Sequence, residues 1–341
     1  MSTLIGIGVV PFLFATAFGA APPRIIIDTD LRSDVDDAGA IALANALADN
    51  GECELIGVIA SQTGPAIVSA INAINTYYGR GDVPVGISPI DDQRFDDFYA
   101  PVIGDPALYP STQRNETAPD STTLYRRLLH ESPDQSVTIV VIGSQTCVNL
   151  LLESEADFEG DGSIGRTGRD LVAAKVRELV LMAGNFADAG HPEHNVALDP
   201  EASQHIAATW PTPIVYSGFE IGRAILTGGR MRNPETNPVA KAYELFPAGG
   251  VGNIAASASY DQTAVYYAVC GVMCGEEALW ELSEAGGVAF PESRTRFEPA
   301  GGGRSRYLIP KAPVERVAEV IEQLMTQPPK ARAEQERPGP K

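Results

Sequence analysis

Five carboxylates stand within ten residues near the start of the chain: Asp28, Asp30, Asp34, Asp36 and Asp37. Three isoleucines, Ile25, Ile26 and Ile27, lead into them, and an Ala/Ile/Leu run follows. Two unit charges about 4 Å apart repel by about 4 kcal/mol at an effective dielectric near 20. So dense a cluster needs a cation, protons or full solvation. Helix capping employs one or two Asp side chains and leaves the rest unexplained. Because an apolar strand delivers the group, a bound cation is the expected answer. Oxygen donors in this number suit Ca²⁺, which takes about 6–8 oxygens, better than zinc with its preference for nitrogen and sulfur.

Several alternatives fail on residue type. An EF-hand loop opening at Asp28 would want Asp or Asn, then Gly, where Arg32 and Ser33 stand, and Glu where Gly39 stands. A phosphatase of the haloacid dehalogenase type needs Thr or Val two residues after its second Asp, again the place of Arg32. The acidic turn is neither a P-loop nor a G-x-G-x-x-G turn, and the chain has no G-x-S-x-G. His191 and His194 are three apart, but Pro192 between them gives no assurance of a common face for a metal.

The elements that must position the acidic turn follow from hydrophobic patterning. A strand enters it and a helix (about 36–48) leaves it. Strands are expected at 54–60, 83–86, 136–142, 178–182 and 212–217, and helices at 65–78, 121–130, 146–152, 169–177, 200–209, 237–245, 261–270 and 314–325. Two terminal strands around Gly301–Gly303 are expected within 288–309, and residues 88–118 read as a long functional or inserted loop. Alternating strands and helices predict an α/β fold: a single open, mostly parallel (mixed) sheet with helices on both faces, in one domain spanning 24–326. In such a sheet ligands bind beyond the carboxyl ends of the strands. The residues there are Asp28, Asp30, Asp36 and Asp37, then Ser61, Gln62 and Thr63, then Gly143 to Thr146, then Asn185, Asp188, Glu193 and Asn195, then Ser217, Phe219 and Glu220. That edge is acidic and poor in Lys and Arg, which suits a hard cation and a hydroxyl-rich ligand rather than a phosphate.

The chain has 341 residues, 44% of them apolar, and a net charge of −19. This charge argues against a nucleic-acid partner. Cys53, Cys147, Cys270 and Cys274 form no paired metal spacing, and Cys270 and Cys274 read as core thiols at helical spacing. An apolar run from Leu4 to Ala21, ending in small residues, reads as a signal peptide (1–21) despite an amino terminus without Lys or Arg, so export is expected, with the cytoplasm as the alternative. No later run is long enough to span a membrane, and no stable membrane partner is expected. Asn115-Glu116-Thr117 is a glycosylation sequon, and residues 327–341 read as a disordered tail.

Asp-Thr-Asp…Asp-Val-Asp-Asp-Ala at 28–38 resembles the amino-terminal signature of the inosine/uridine-preferring nucleoside hydrolases. Residues 71–85, Ile-Asn-Ala-Ile-Asn-Thr-Tyr-Tyr-Gly-Arg-Gly-Asp-Val-Pro-Val, are similar to a stretch in that family's bacterial branch, as are 180–199, with Met-Ala-Gly-Asn-Phe and His-Pro-Glu-His-Asn-Val-Ala-Leu-Asp. Tyr260-Asp261-Gln-Thr-Ala-Val resembles its carboxy-terminal metal motif. The resemblance implies a Ca²⁺-dependent hydrolase that cleaves the N-glycosidic bond of ribonucleosides, or related N-ribosides, to ribose and free base. It implies Asp30, Asp37, the Thr146 carbonyl and Asp261 as metal ligands, with Asp30 also accepting the proton of the attacking water. Asp36, Asn185, Glu193 and Asn195 are implied to bind ribose, and Asp28 to stand behind the ligands. The partner is then a small nucleoside; a homo-oligomer is compatible with it.

Four departures accompany the likeness. The turn from Asp30 to Asp36-Asp37 is two residues longer than in familiar members, which makes Asp34 an alternative ligand. Gln62 or Thr63 replaces an Asn after the second strand, and Cys147 follows Thr146 where Asn is usual. Tyr260 occupies the place of a His that protonates the leaving base, so Tyr260, Tyr266 or a residue of the 88–118 loop must take over, or the leaving group must be better than a nucleobase. A non-catalytic nucleoside- or sugar-binding protein that keeps fold and metal is the alternative.

Overall fold

Successive side chains of a strand point to opposite faces, and the first strand is apolar on both. Ile25 and Ile27 join one apolar cluster and Ile26 a second. Such a strand belongs inside a parallel sheet covered by helices on either side. The computed structural model describes residues 21–32, 34–90, 97–159, 165–246, 252–300 and 302–330. Residues 1–20 of the expected leader, 91–96 of the long loop, Gly301 and 331–341 of the expected tail lie outside them.

The main sheet has ten strands. They are β1 (Arg24–Thr29), β2 (Glu54–Ala60), β3 (Val85–Ile87), β4 (Val137–Val141), β5 (Val176–Met182), β6 (Ile214–Ser217), β7 (Trp280–Leu282), β8 (Gly286–Ala289), β9 (Arg296–Pro299) and β10 (Ser305–Pro310). Their order is β9-β8-β10-β6-β5-β4-β1-β2-β3, with β7 paired to β10. β1 to β6 pair in parallel and β10 extends them in parallel, while β7, β8 and β9 pair antiparallel. The sheet is therefore open, mixed and mostly parallel, as expected.

Helices of eight residues or more cover both faces. One face carries α1 (Asp36–Asp49) and α2 (Ile67–Tyr77); the other carries α3 (Ser121–His130), α4 (Thr146–Glu153), α5 (Gly168–Lys175) and α6 (Pro200–Thr209). α7 (Pro238–Leu245), α8 (Tyr260–Cys270) and α9 (Val314–Met325) join α1 and α2 on the first face. The strand order runs outward from β1 through β2 and β3, then restarts beyond β1 at β4. A crevice opens at that reversal, beyond the strand ends.

Several boundaries differ from expectation. Arg177 lies in β5 rather than in a helix, because β5 starts at Val176, paired with Val137 of β4. α2 starts at Ile67, not Pro65, since Ala66 adopts a left-handed φ of 63°. Asn115 fixes that corner: its Oδ1 accepts the Val68 N–H at 3.0 Å and its Nδ2 donates to the Gly64 carbonyl at 2.7 Å. The sequon amide is thus engaged inside the fold. Residues 288–309 hold parts of three strands, not two. Gly271 ends α8 at a φ of 68°, so Cys270 and Cys274 do not share a helix.

Candidate active site

The acidic turn leaves β1 at the reversal of strand order. Gly143, just past β4, is needed there: a Cβ on it would come within 2.7 Å of Ser61 Oγ and 3.0 Å of Asp30 Cβ. The turn is tied down from several sides. The Thr29 hydroxyl donates to Asp37 Oδ1, and Gln62 Nε2 donates to Asp30 Oδ2 at 3.2 Å. Arg32 donates to the Thr63 carbonyl and to Asp97 Oδ1 (2.7 Å) in the long loop. Tyr99 of the same loop donates its hydroxyl to the Asp34 carbonyl at 2.6 Å. Behind the turn, the Tyr125 hydroxyl donates to Asp28 Oδ2 at 2.7 Å.

The Asp261 N–H at the start of α8 donates to Asp36 Oδ2 at the start of α1, at 3.1 Å. Two helix amino termini therefore converge, and ligand oxygens of Asp34, Asp36, Asp37 and Asp261 all lie within 4.8 Å of one another. Burial, and then neighbouring negative charge, pushes the carboxyls of Asp36, Asp37 and Asp261 well above the usual range. Burial, followed by the charge of Asp34, pushes Asp30 up to about 7. One cation among these oxygens would reverse each shift. Donors of this type, this close and shielded from water, fit a hard divalent ion. Among the described residues no Lys or Arg lines the cavity beside them.

That inner cavity, about 270 Å³, is lined by Asp30, Asp34, Asp37, Asp261, Glu193 and Asn195, with Tyr260 at its side. An outer chamber of about 830 Å³ holds Asn185, Asp188, His191, Glu220 and Arg223. Glu193, His194 and Phe219 line both. Asn195 is fixed to the strand ends, its Nδ2 donating to the carbonyls of Met182 (3.0 Å) and Ile142 (3.2 Å). The Glu193 carboxylate accepts the N–H groups of Gly184 (3.2 Å), Asn195 (3.0 Å) and Val196 (3.1 Å). Burial pushes it up to about 7 against the pull of those bonds. Phe219 stacks on Tyr260 with centroids 5.2 Å apart and planes 18° from parallel, and the Arg223 guanidinium lies 5.5 Å from the Phe219 centroid.

A strand–acidic turn–helix unit thus stands at the switch point of a 3-2-1-4-5-6 sheet, completed by the distant Asp261. The family model for "Inosine-uridine preferring nucleoside hydrolase" matches residues 25–290. The chain belongs to that family. It is thereby a hydrolase of N-glycosyl compounds, from a metal-dependent family that cleaves nucleosides. Solved structures of nucleoside hydrolases share the fold. A plant nucleoside hydrolase, PpNRh1, is 20% identical, with 90% of this chain and 100% of that one covered at a TM-score of 0.62. An inosine-guanosine nucleoside hydrolase is 18% identical, covering 89% and 98%, at 0.63. The inosine-uridine preferring enzyme of Bacillus anthracis is 14% identical, covering 89% and 99%, at 0.59. No curated protein sequence matches the chain.

The fold brings most of the expected residues together. Asp37 and Asp261 sit in the carboxylate group and Asp36 joins them; Asp34 completes it, while Asp30 stands beside it and is felt by Asp37 and Asp261. Thr146 opens α4 with its hydroxyl on Asp199 Oδ2 (2.7 Å), and it lines neither cavity. Asn185 faces the outer chamber rather than the inner one. Tyr266 is buried in the core, donating to the Met273 carbonyl, so it is no candidate to protonate a leaving group. Asp97, Tyr99 and Thr295 are polar residues in loops and carry no sequence signal. Asp199 ends the 180–199 stretch that resembles the family, with no role implied for it there.

Proposed function

We propose that the chain hydrolyses the N-glycosidic bond of ribonucleosides and related N-ribosides, with the ribose in the inner cavity and Ca²⁺ among the carboxylates. The observation that carries this is the juxtaposition of Asp30, Asp34, Asp37 and Asp261 with Glu193 and Asn195 in one cavity, with an Asp36 oxygen within 4.8 Å of those of Asp34, Asp37 and Asp261. Asp34, Asp37 and Asp261 would hold the ion, and Asp30 and the Thr146 carbonyl are the proposed outer members of its shell. When bound, such an ion lowers the pKa of a water and orients it.

The chain's own residues supply the rest. Asp30, held by Gln62 at the cavity wall, takes the proton of the attacking water. Asp36, Glu193 and Asn195 grip ribose hydroxyls, and Asn185 lies toward the outer chamber for the group beyond. The carboxylates around the anomeric carbon stabilise positive charge as an oxocarbenium-like state develops. Fixing sugar and water side by side lowers the entropic part of the barrier.

Ribose release should be measured on inosine, guanosine, adenosine, uridine and cytidine, with Ca²⁺ and after chelation. Release that needs Ca²⁺ and is lost in Asp30→Ala is the expected result. Tight binding without release on every nucleoside would overturn the catalytic reading in favour of a binding protein. The apolar leader supports export; amino-terminal sequencing of secreted protein should begin near Pro22.

A further inference from the structure

The outer and inner cavities meet at Glu193, His194 and Phe219. Resting on the proposed reading, a ribose held by Glu193 and Asn195 must send its base across that boundary. The rest of the inner cavity is lined by carboxylates, by Tyr260 and by the strand ends at Ile142 and Met182. At that boundary the base meets Phe219, which stacks on Tyr260, and His194. A departing purine or pyrimidine needs a proton, because its nitrogen takes the whole electron pair of the broken bond. The position that resembles the family's acid is Tyr260, a phenol with an ordinary pKa of about 10 and so a weaker acid near neutral pH than an imidazolium.

Three features single out His194. It is the imidazole that lines both cavities, whereas His191 lines only the outer one and is bonded to Asp188 Oδ2 at 2.7 Å. It lies between two fixed residues, the Glu193 carboxylate capping the turn it opens and Asn195 fastened to β4 and β5. Arg223, the nearby cation over Phe219, is a guanidinium and does not give up its proton in proteins. Imidazole, by contrast, serves as a general acid near neutral pH.

We infer that His194 is a catalytic residue, the acid that protonates the leaving base. As the C1′–N bond breaks, its electron pair goes to the base nitrogen, which takes a proton from the His194 imidazolium. Water oxygen bonds to C1′ and its proton goes to Asp30. The products are ribose and neutral base, and one water is consumed. Exchange of that proton with solvent at the exposed rim restores the starting state.

A substrate whose leaving group needs no proton separates this role from a structural one. The Ca²⁺-loaded protein and its His194→Gln and His194→Phe variants should be assayed on inosine, uridine and 4-nitrophenyl riboside. Loss of general acid catalysis predicts a fall in kcat of about 100-fold or more on the nucleosides. On the nitrophenyl riboside, which departs as a stable phenolate, kcat should stay within about fivefold by the same argument. The phenyl variant keeps an aromatic wall at the rim if glutamine disturbs the loop. Equal losses on both substrate types would overturn the assignment, and so would no loss on either. Wild-type protein that cleaves only the nitrophenyl riboside would overturn it as well. Wild-type protein that cleaves none of the three refutes the proposed function itself, a distinct result.

Discussion

Asp28, Asp30 and Glu193 share a physical predicament: burial drives their carboxyls up to about 8, about 7 and about 7. In an unfolded chain the same groups ionise near pH 4. Between those values the cation-free folded state binds protons that the unfolded state has released, so its stability is full below about pH 4 and is lost as pH rises through 7 to 8. In chelator, the thermal midpoint should therefore fall from pH 5 to pH 8, and saturating Ca²⁺ should flatten the slope. A midpoint that stays level in chelator would mean that solvent already compensates these charges. Asp30→Asn separates stability from chemistry at one residue. Ribose release should drop about 100-fold or more with the base removed, while the midpoint in chelator at pH 8 rises, because a buried charge has gone.

The segment after β8 acts on the site without lining the inner cavity. Thr295 Oγ1 accepts the Asn185 N–H at 2.7 Å, the Ser293 carbonyl accepts the Glu193 N–H at 3.3 Å, and Arg294 Nε donates to the Gly190 carbonyl at 3.0 Å. Glu292 and Ser293 adopt positive φ values of 51° and 60°, a strained turn that brings these groups into register. Thr295→Val deletes the acceptor for a buried N–H; KM for a cleaved nucleoside should rise about tenfold with a smaller change in kcat, and Thr295→Ser should restore it. An unchanged KM would confine the segment to packing. None of this is legible in the sequence: β8 and β9 pair with each other, but the connection from Phe290 to Thr295 holds no Gly, Asn or Asp to mark its positive-φ positions. What was legible had a local cause. The strand at 54–60 is a near-continuous apolar run, and the helices at 121–130 and 200–209 start at the capping residues Asp120 and Asp199. The helix expected to reach Arg177 stops at Lys175 and passes into β5 without a breaker to mark the boundary. The site divides the same way: Asp37 and Asp261 carried motifs, whereas the membership of Asp34 depends on how an extended turn folds back.

At the scale of the molecule, the carboxylate group is a junction. α1 follows the first strand, α8 comes near the end of the fold, and both start at this group, while α9 packs against α1. A cation bound there links segments that are otherwise joined by packing and one N–H bond, in a chain of net charge −19. An ion that binds only the folded state adds about 2.7 kcal/mol at a hundred times its Kd. For a chain of this length that is a midpoint gain on the order of 5 °C. Asp37→Asn on α1 and Asp261→Asn on α8 should each abolish the gain, measured by thermal unfolding with and without Ca²⁺ at pH 7. The second variant decides the question. If the acidic turn alone held the ion, Asp261→Asn would keep the shift, because Asp34, Asp36 and Asp37 remain. If the site is the junction of two helix starts, losing Asp261 removes the far half and the shift goes with it. Zn²⁺ at the same concentration should give a smaller gain than Ca²⁺, since the group offers only oxygen.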